Sequence, residues 1–203
     1  MNNKRIVDVT ICTAHIPPRG SYLSRAVMSI ASQTVSPKEH IISVDYNKIG
    51  QPANLDKCVW SAKSKYVAIL DDDDEMLLDH LELIYDYIES TGADLVYPWF
   101  KFETSGNAGH LEEFAFKEWK NEEFHTIPIT WIAKTDVIKA VGGFSNGFDP
   151  CSFNVDEKGF RIGSDRNITR NLINAGYIIK HLPKVTWIYH DRHQRTLGMP
   201  NRW

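Results

Sequence analysis

Val7, Val9 and Ile11 alternate with Asp8, Thr10 and Cys12, the two-residue period of a strand. The loop "AHIPPRG" follows, stiffened by two prolines and closed by a glycine. Leu23, Ala26, Val27 and Ile30 recur at helical spacing and predict a helix over 21–33. Residues 40–45, "HIISVD", predict a second buried strand, and "YNKIGQP" a turn-rich loop. Leu55, Cys58, Val59 and Ala62 stand at i, i+3, i+4 and i+7, which predicts a second helix. "KYVAIL" predicts a third strand. Leu77, Leu81, Ile84 and Ile88 share one face of a third helix, and "DLVYPWF" predicts a fourth strand.

This alternation is that of an α/β fold with a mainly parallel central sheet flanked by helices. Ligands in such sheets bind outside the carboxyl ends of the strands. Three of those ends carry polar residues, Thr13, Asp45 and Asp71, so the first half resembles a nucleotide-binding half. The second half is less regular. Residues 101–127 mix charge and aromatics without a period and predict a long loop. "TWIAKTDVIKAVGGF" predicts a strand and a short helix stopped by Gly142 and Gly143. A second loop covers "SNGFDPCSFNVDEKGF". A helix over "SDRNITRNLINAG" is expected to take Ser164 as N-cap and stop at Gly176. "YIIKHLPKVTWIYH" predicts one or two closing strands. The 203 residues are expected to form a single domain, with halves of about 1–100 and 101–203.

The formal net charge of −3 gives the chain no overall basic character for holding a phosphate backbone. Its three cysteines, Cys12, Cys58 and Cys151, are widely spaced and carry no zinc signature. Cys12 and Cys58 fall in apolar patterns and are expected in the core. The start shows no signal-peptide pattern, and no stretch approaches the ~18 apolar residues of a membrane helix. The expected setting is cytoplasmic, without an integral membrane segment.

One segment departs from this ordinary picture. The apolar run of Tyr66–Leu70 drives straight into Asp71, Asp72, Asp73, Asp74 and Glu75. Part of the run reads as helix-start acids, which the helix dipole favours; Asp74, Glu75 and Asp79 fit that account. It leaves unexplained why carboxylates begin where a buried strand ends. A hard divalent cation, Mg²⁺ or Mn²⁺, would turn that repulsion into ligation, since it takes oxygen ligands from one or two carboxylates and substrate phosphates. The spaced ligands and central glycine of an EF-hand are absent.

The ordered set "VTICTAHIPPRGSYLSRAVMSIASQTVSPKEHIISVD", "ANLDKCVWSAKSKYVAILDDDD" and "VGGF", with a later acidic residue, helix and "AGY", resembles a family 2 glycosyltransferase of GT-A fold. The resemblance runs over roughly residues 5–190, and its order is more specific than any single motif. It implies a metal-dependent, inverting transfer of a sugar from a nucleoside-diphosphate sugar, with UDP-sugar favoured, to an acceptor hydroxyl. Asp71 and Asp73 match the DxD positions, Asp71 toward the nucleotide ribose or metal-bound water and Asp73 at the metal. Asp72, the variable middle residue, falls with the donor-binding group. Thr13 and Asp45 match positions at the nucleotide base, and Asn54 the family's asparagine in the second helix. Each also has a plainer reading: a strand-end hydroxyl, a turn-forming aspartate and a polar helix start.

Asp165 matches the family's acidic residue and would be the general base, with Asp156 and Glu157 as fallbacks. Ser164 stands where the family usually has Glu. His190 is placed as a third metal contact, with His193 as its alternative. Arg192, Arg195 and Arg202 are candidate phosphate contacts or a solvated basic tail. Trp99, Trp131 and Trp187 suit either sugar stacking or the core. Two other readings share these features. One is a metal-dependent nucleotidyltransferase, disfavoured because "AHIPPRG" lacks a glycine-rich phosphate loop; the other is a sugar-nucleotide-binding pseudo-enzyme. The acceptor stays open among saccharide, modified nucleobase, protein and small molecule.

Overall fold

The computed structural model describes residues 4–104, 127–148 and 163–191. One seven-stranded sheet draws on both halves of the chain, in the order β2-β1-β3-β6-β5-β7-β4. The strands are β1 (Ile6–His15), β2 (Ser36–Val44), β3 (Tyr66–Ile69), β4 (Glu75–Met76), β5 (Leu95–Thr104), β6 (Ile132–Lys134) and β7 (Ile179–Asp191). The helices are α1 (Gly20–Ala31), α2 (Gln51–Ser61), α3 (His80–Thr91), α4 (Thr135–Ala140) and α5 (Ser164–Asn174), with a 3₁₀ turn at Pro17–Arg19.

β1 runs parallel to β2 and to β3. β6 is antiparallel to both β3 and β5, so β5 points the same way as β3. β7 follows β5 in parallel, and only the two-residue β4 turns back against β7. Five strands therefore end at one edge, which bears out the mainly parallel sheet that the alternation predicts.

The sheet separates two cores. Val7, Val9 and Ile11 of β1 join Ile30 of α1 and Leu81, Ile84 and Ile88 of α3 on one face. Cys12, Leu55, Cys58 and Val59 join Ile138, Ile168 and Leu172 on the other, which places α2, α4 and α5 together. Cys12 and Cys58 are fully buried, as the apolar patterns predict.

Four details differ from the sequence reading. α5 begins at Ser164, its N-cap is Gly163, and no side chain caps it. Leu77 precedes α3, where its backbone N–H donates to the Thr186 carbonyl (2.8 Å). Asp74 and Glu75 are not helix-start acids: Glu75 is in β4, and α3 begins only at His80. Asp79 does stand at the head of α3, without a capping bond from its side chain. The cause is tertiary, because pairing of β4 with β7 holds the run extended beyond the dipole's reach. The fourth predicted strand also continues to Thr104, because each of its residues finds a partner on β7 through Asp191. That leaves 105–126, most of the first predicted loop, outside the described residues, together with most of the second, 149–162.

α4 ends as expected. Gly142 and Gly143 have φ of 82° and 73°, a region L side chains seldom enter. A Cβ on Gly143 would also lie 2.8 Å from the Trp60 ring and collide with the Asp56 carboxylate. Asp56 of α2 accepts hydrogen bonds from the N–H groups of Phe144 (2.7 Å) and Ser145 (3.0 Å), and from the Ser145 hydroxyl. The turn after α4 is thus clipped to α2.

Candidate active site

The sheet's parallel order brings Thr13 and His15, Asp45, and the run Asp71–Asp74 to the same edge. β1 delivers His15 there, and the 3₁₀ turn that follows delivers Arg19. His15 Nδ1 lies 2.8 Å from Asp72 Oδ2, and both side chains are almost wholly buried. Arg19 Nη1 donates to Asp72 Oδ1 at 2.9 Å and to Asp73 Oδ2 at 3.2 Å. Arg25, one turn into α1, donates to the Asp73 carbonyl at 2.7 Å and pairs with Glu75 at 3.1 Å. Asp71 accepts from Gln51 Nε2, at the start of α2, at 2.7 Å.

The far side of the run is tied to β7. Asp74 accepts from the Trp187 indole N–H at 3.1 Å and from the His190 backbone N–H at 2.9 Å. His190 Nε2 lies 2.7 Å from Glu75 Oε1, and its Nδ1 is 3.5 Å from Glu103 of β5. β4 therefore explains how the His190 backbone reaches Asp74 across more than a hundred residues, while its ring faces Glu75 and Glu103.

These cations do not neutralise the run completely. Burial, and then the charges of Asp73 and Asp72, push the Asp71 carboxyl up to about 7, against the pull of Arg19 and Gln51. Burial, followed by Asp71 and Asp73, also holds Asp74 well above the usual carboxylate range. Burial pulls Arg19 down, but Asp73, Asp72 and Asp71 outweigh it, so its net shift is upward. Carboxylate oxygens left in this state fit a hard divalent cation. Among the described residues, no three or more His, Cys, Asp or Glu side chains converge as a complete metal site.

Thr13 and Asp45, assigned to the nucleotide base, and Asn54 of the second helix all have partners in the protein. Thr13 is fully buried, with its hydroxyl 3.0 Å from His40 Nε2. Burial depresses His40 to about 4, so it is neutral near pH 7. Asp45 accepts from the N–H groups of Ile49 (2.9 Å) and Gly50 (2.8 Å), which ties the loop into α2. Asn54 is buried in α2, donates to the Gly50 carbonyl (2.9 Å) and accepts from the Ser43 hydroxyl (2.9 Å). These bonds follow the turn-forming alternative for Asp45, and they make Asn54 a tie between β2 and α2.

Asp165 lies in the first turn of α5, half-buried, with one carboxylate oxygen folded over Gly163. No hydrogen bond or ion pair among the described residues links it to the aspartate run. Its helix is held by Asn167, whose Nδ2 donates to the Asn146 carbonyl at 2.7 Å. Trp131 and Trp187 are fully buried, and Trp131 stacks on Phe144. Asp156, Glu157, Arg192, His193, Arg195 and Arg202 lie outside the described residues.

Sequence reasoning missed His15, Arg19, Arg25 and Gln51 as partners of the carboxylates. A signal existed for Arg19. It is the one cation in the loop after β1, and a run of carboxylates needs cations nearby.

The model of glycosyl transferase family 2 matches residues 23–140. An uncharacterized glycosyltransferase of Methanocaldococcus jannaschii is 29% identical over 171 residues. That match covers 68% of this chain and 58% of the relative, so the chain spans somewhat over half the relative's length. Among solved structures, Staphylococcus aureus TarS has a TM-score of 0.70 at 14% identity, covering 91% of this chain and 37% of that one. TarS residues 1–349 in complex with UDP-GlcNAc give a TM-score of 0.71 at 14% identity, over 94% and 60% of the two chains. At such identity the likeness shows the fold, an α/β fold of the GT-A type. Among the described residues no helix is long and apolar enough to cross a membrane.

Proposed function

The chain belongs to glycosyl transferase family 2, and from that premise we propose that it moves a sugar from a nucleoside-diphosphate sugar to an acceptor hydroxyl, with inversion at the anomeric carbon. A UDP-sugar is the favoured donor, in keeping with the UDP-GlcNAc complex of the TarS fragment. The observation that carries this reading is the acidic run Asp71–Asp74 at the carboxyl edge of the sheet in a chain of this family. Carboxylates gathered at the ligand edge of such a sheet suit a cationic ligand.

Asp73 is the residue that would hold Mg²⁺ or Mn²⁺ together with diphosphate oxygens, with Asp71 toward the nucleotide ribose or metal-bound water and His190 as a further contact once its ring leaves Glu75. When bound, the ion supplies positive charge against the departing diphosphate. The His190 ring rests with Nε2 2.7 Å from Glu75 and Nδ1 3.5 Å from Glu103, so a metal would have to displace one of these carboxylates. Asp72 acts through its buried pair with His15 and through Arg19, and so sets the height of the loop. Asp45 and Asn54 shape the nucleotide side of the site by fixing the loop into α2, and Thr13 lies at the end of β1 with its hydroxyl on His40.

Asp165 is the general base. Its carboxylate takes the proton from the acceptor hydroxyl as that oxygen attacks the anomeric carbon. The bond from that carbon to the diphosphate oxygen breaks on the opposite face, and the nucleoside diphosphate leaves with the bonding pair. A thermal-shift panel of nucleotide sugars with and without Mn²⁺ tests the reading. One donor is expected to raise the melting temperature only with metal present; no shift for any donor would end it.

A further inference from the structure

Arg19 is the cation that meets two neighbouring aspartates of the run. Arg19 sits at the end of a proline-stiffened 3₁₀ turn, so its backbone is held at the sheet edge while a long side chain reaches over the run. Its guanidinium bridges Asp72 and Asp73, and the side chain as a whole retains about a fifth of its exposure. The two carboxylates it bridges differ. Asp72 is nearly inaccessible and is also paired to His15. Asp73 is as open as Arg19 itself, and Arg19 contacts it at the longer distance. Asp72 is thus a permanent anchor and Asp73 an exchangeable one.

We propose that Arg19 is a diphosphate-binding residue that stands in for the divalent cation on Asp73 and turns to the substrate diphosphate when the cation takes that carboxylate over. The proposal rests on the glycosyltransferase reading and on Asp73 as the metal carboxylate. Its physics is charge exchange. Without metal, an incoming diphosphate meets a net acidic loop, and Arg19 is spent on that loop. A divalent cation on Asp73 reverses the local sign and releases Arg19 from the more open of the two aspartates it bridges. A guanidinium is planar, permanently charged and shaped for paired phosphate oxygens, so the diphosphate is its natural replacement partner. Asp72 keeps the side chain on station during the exchange. Metal and diphosphate consequently help each other bind, and that help is reciprocal.

The test is Mn²⁺ binding, read by the electron paramagnetic resonance of free Mn²⁺ and corrected for the Mn²⁺–nucleotide complex in solution. It is run without nucleotide and with whichever of UDP, GDP, ADP, CDP and dTDP gives the largest thermal shift. In the wild type, nucleotide is expected to tighten Mn²⁺ binding by about tenfold or more. In Arg19→Gln, Mn²⁺ alone should bind about threefold tighter than in the wild type, because its competitor is gone, and the tightening by nucleotide should fall below about threefold. Arg19→Lys should keep the weak metal binding of the wild type, since an ammonium still occupies Asp73, yet lose most of the tightening, since it lacks the fork. If Arg19→Gln does not fold, judged by its circular dichroism, Arg19→Lys alone decides.

A merely structural role would weaken both ligands together and could not tighten the metal. Unchanged Mn²⁺ affinity in Arg19→Gln, or full tightening in either variant, overturns the role of Arg19 and leaves the glycosyltransferase reading standing. A wild type that binds none of the five nucleotides overturns both.

Discussion

Asp56→Asn isolates one contact that the fold uses to place its proposed base. The Asp56 carboxylate accepts from two backbone N–H groups and a hydroxyl in the turn after α4. Asn146, in the same turn, accepts from Asn167 of α5 (2.7 Å) and from Asn171 (3.2 Å). The chain of contact therefore runs from α2 through the turn to the helix that carries Asp165. Asparagine is nearly the same size, so the substitution leaves no cavity. Its carbonyl can still accept from Phe144, but its amide meets the Ser145 N–H donor to donor. A hydrogen bond to a charged group contributes about 1.5–3 kcal/mol, and a neutral one about 1. Losing the Ser145 bond and weakening the Phe144 bond sums to roughly 2–3 kcal/mol, and the exposure of Ser145 favours the lower end. At about 2 kcal/mol per molar urea, the unfolding midpoint should fall by about 1 M with an unchanged slope. Turnover should also fall, while the thermal shift by donor and Mn²⁺ persists. A midpoint within about 0.2 M of the wild type would refute the assignment of Asp56 as a clip, given the slope expected.

Asp165→Asn should lower transfer by about 10²–10⁴-fold and leave the melting temperature and nucleotide binding near wild type, measured by product formation and thermal shift; retained turnover would remove Asp165 as the base. Trp187→Phe deletes the donor to Asp74 and leaves a smaller ring at a fully buried site, so urea unfolding should show a loss of at least about 1–2 kcal/mol, with the cavity adding to the lost bond. His80 is fully buried against Thr186, and burial depresses it to about 3. The folded chain then binds fewer protons than the unfolded chain between about pH 3 and 6.5. Its contribution is complete above about 6.5 and is lost as pH falls, at up to about 1.4 kcal/mol per unit. His80→Gln should flatten that acid limb of a stability–pH curve; an unchanged slope would contradict it. Gly143→Ala should cost at least as much as Asp56→Asn, because it combines a positive φ with a collision against the Asp56 carboxylate.

The parts of this molecule visible in its sequence are those set by local period. β1, β3 and the inward faces of α2 and α3 follow directly from where Val7, Leu55, Ile69 and Ile84 stand, whereas in α1 Ala26 and Ile30 turn inward and Val27 is exposed. The strand ends could be listed for the same reason, and with them the aspartate run. What stayed hidden depends on contacts between distant segments. A two-residue strand at Glu75–Met76 has no period of its own, so the acids there resemble a helix start until β7 pairs with them. His15, one residue past the last apolar position of β1, looks like loop and is instead buried against Asp72. Thr13 and Asn54 carry the right chemistry for a ligand, but which way each side chain turns is decided by packing against His40 and Ser43.

The link between Asp74 and β7 also bears on how the protein is made. Asp74 meets its two donors 113 and 116 positions later in the chain. As the ribosome emits the chain from its N-terminus, β1, β2, β3 and their helices emerge and can pair well before Trp187 exists. Through that interval the acidic run has its arginines but no far wall, and Asp74 has no donor from β7. The edge of the sheet proposed to hold metal and diphosphate is therefore among the last parts to be completed. A nascent chain can be largely folded and still unable to take its ligands.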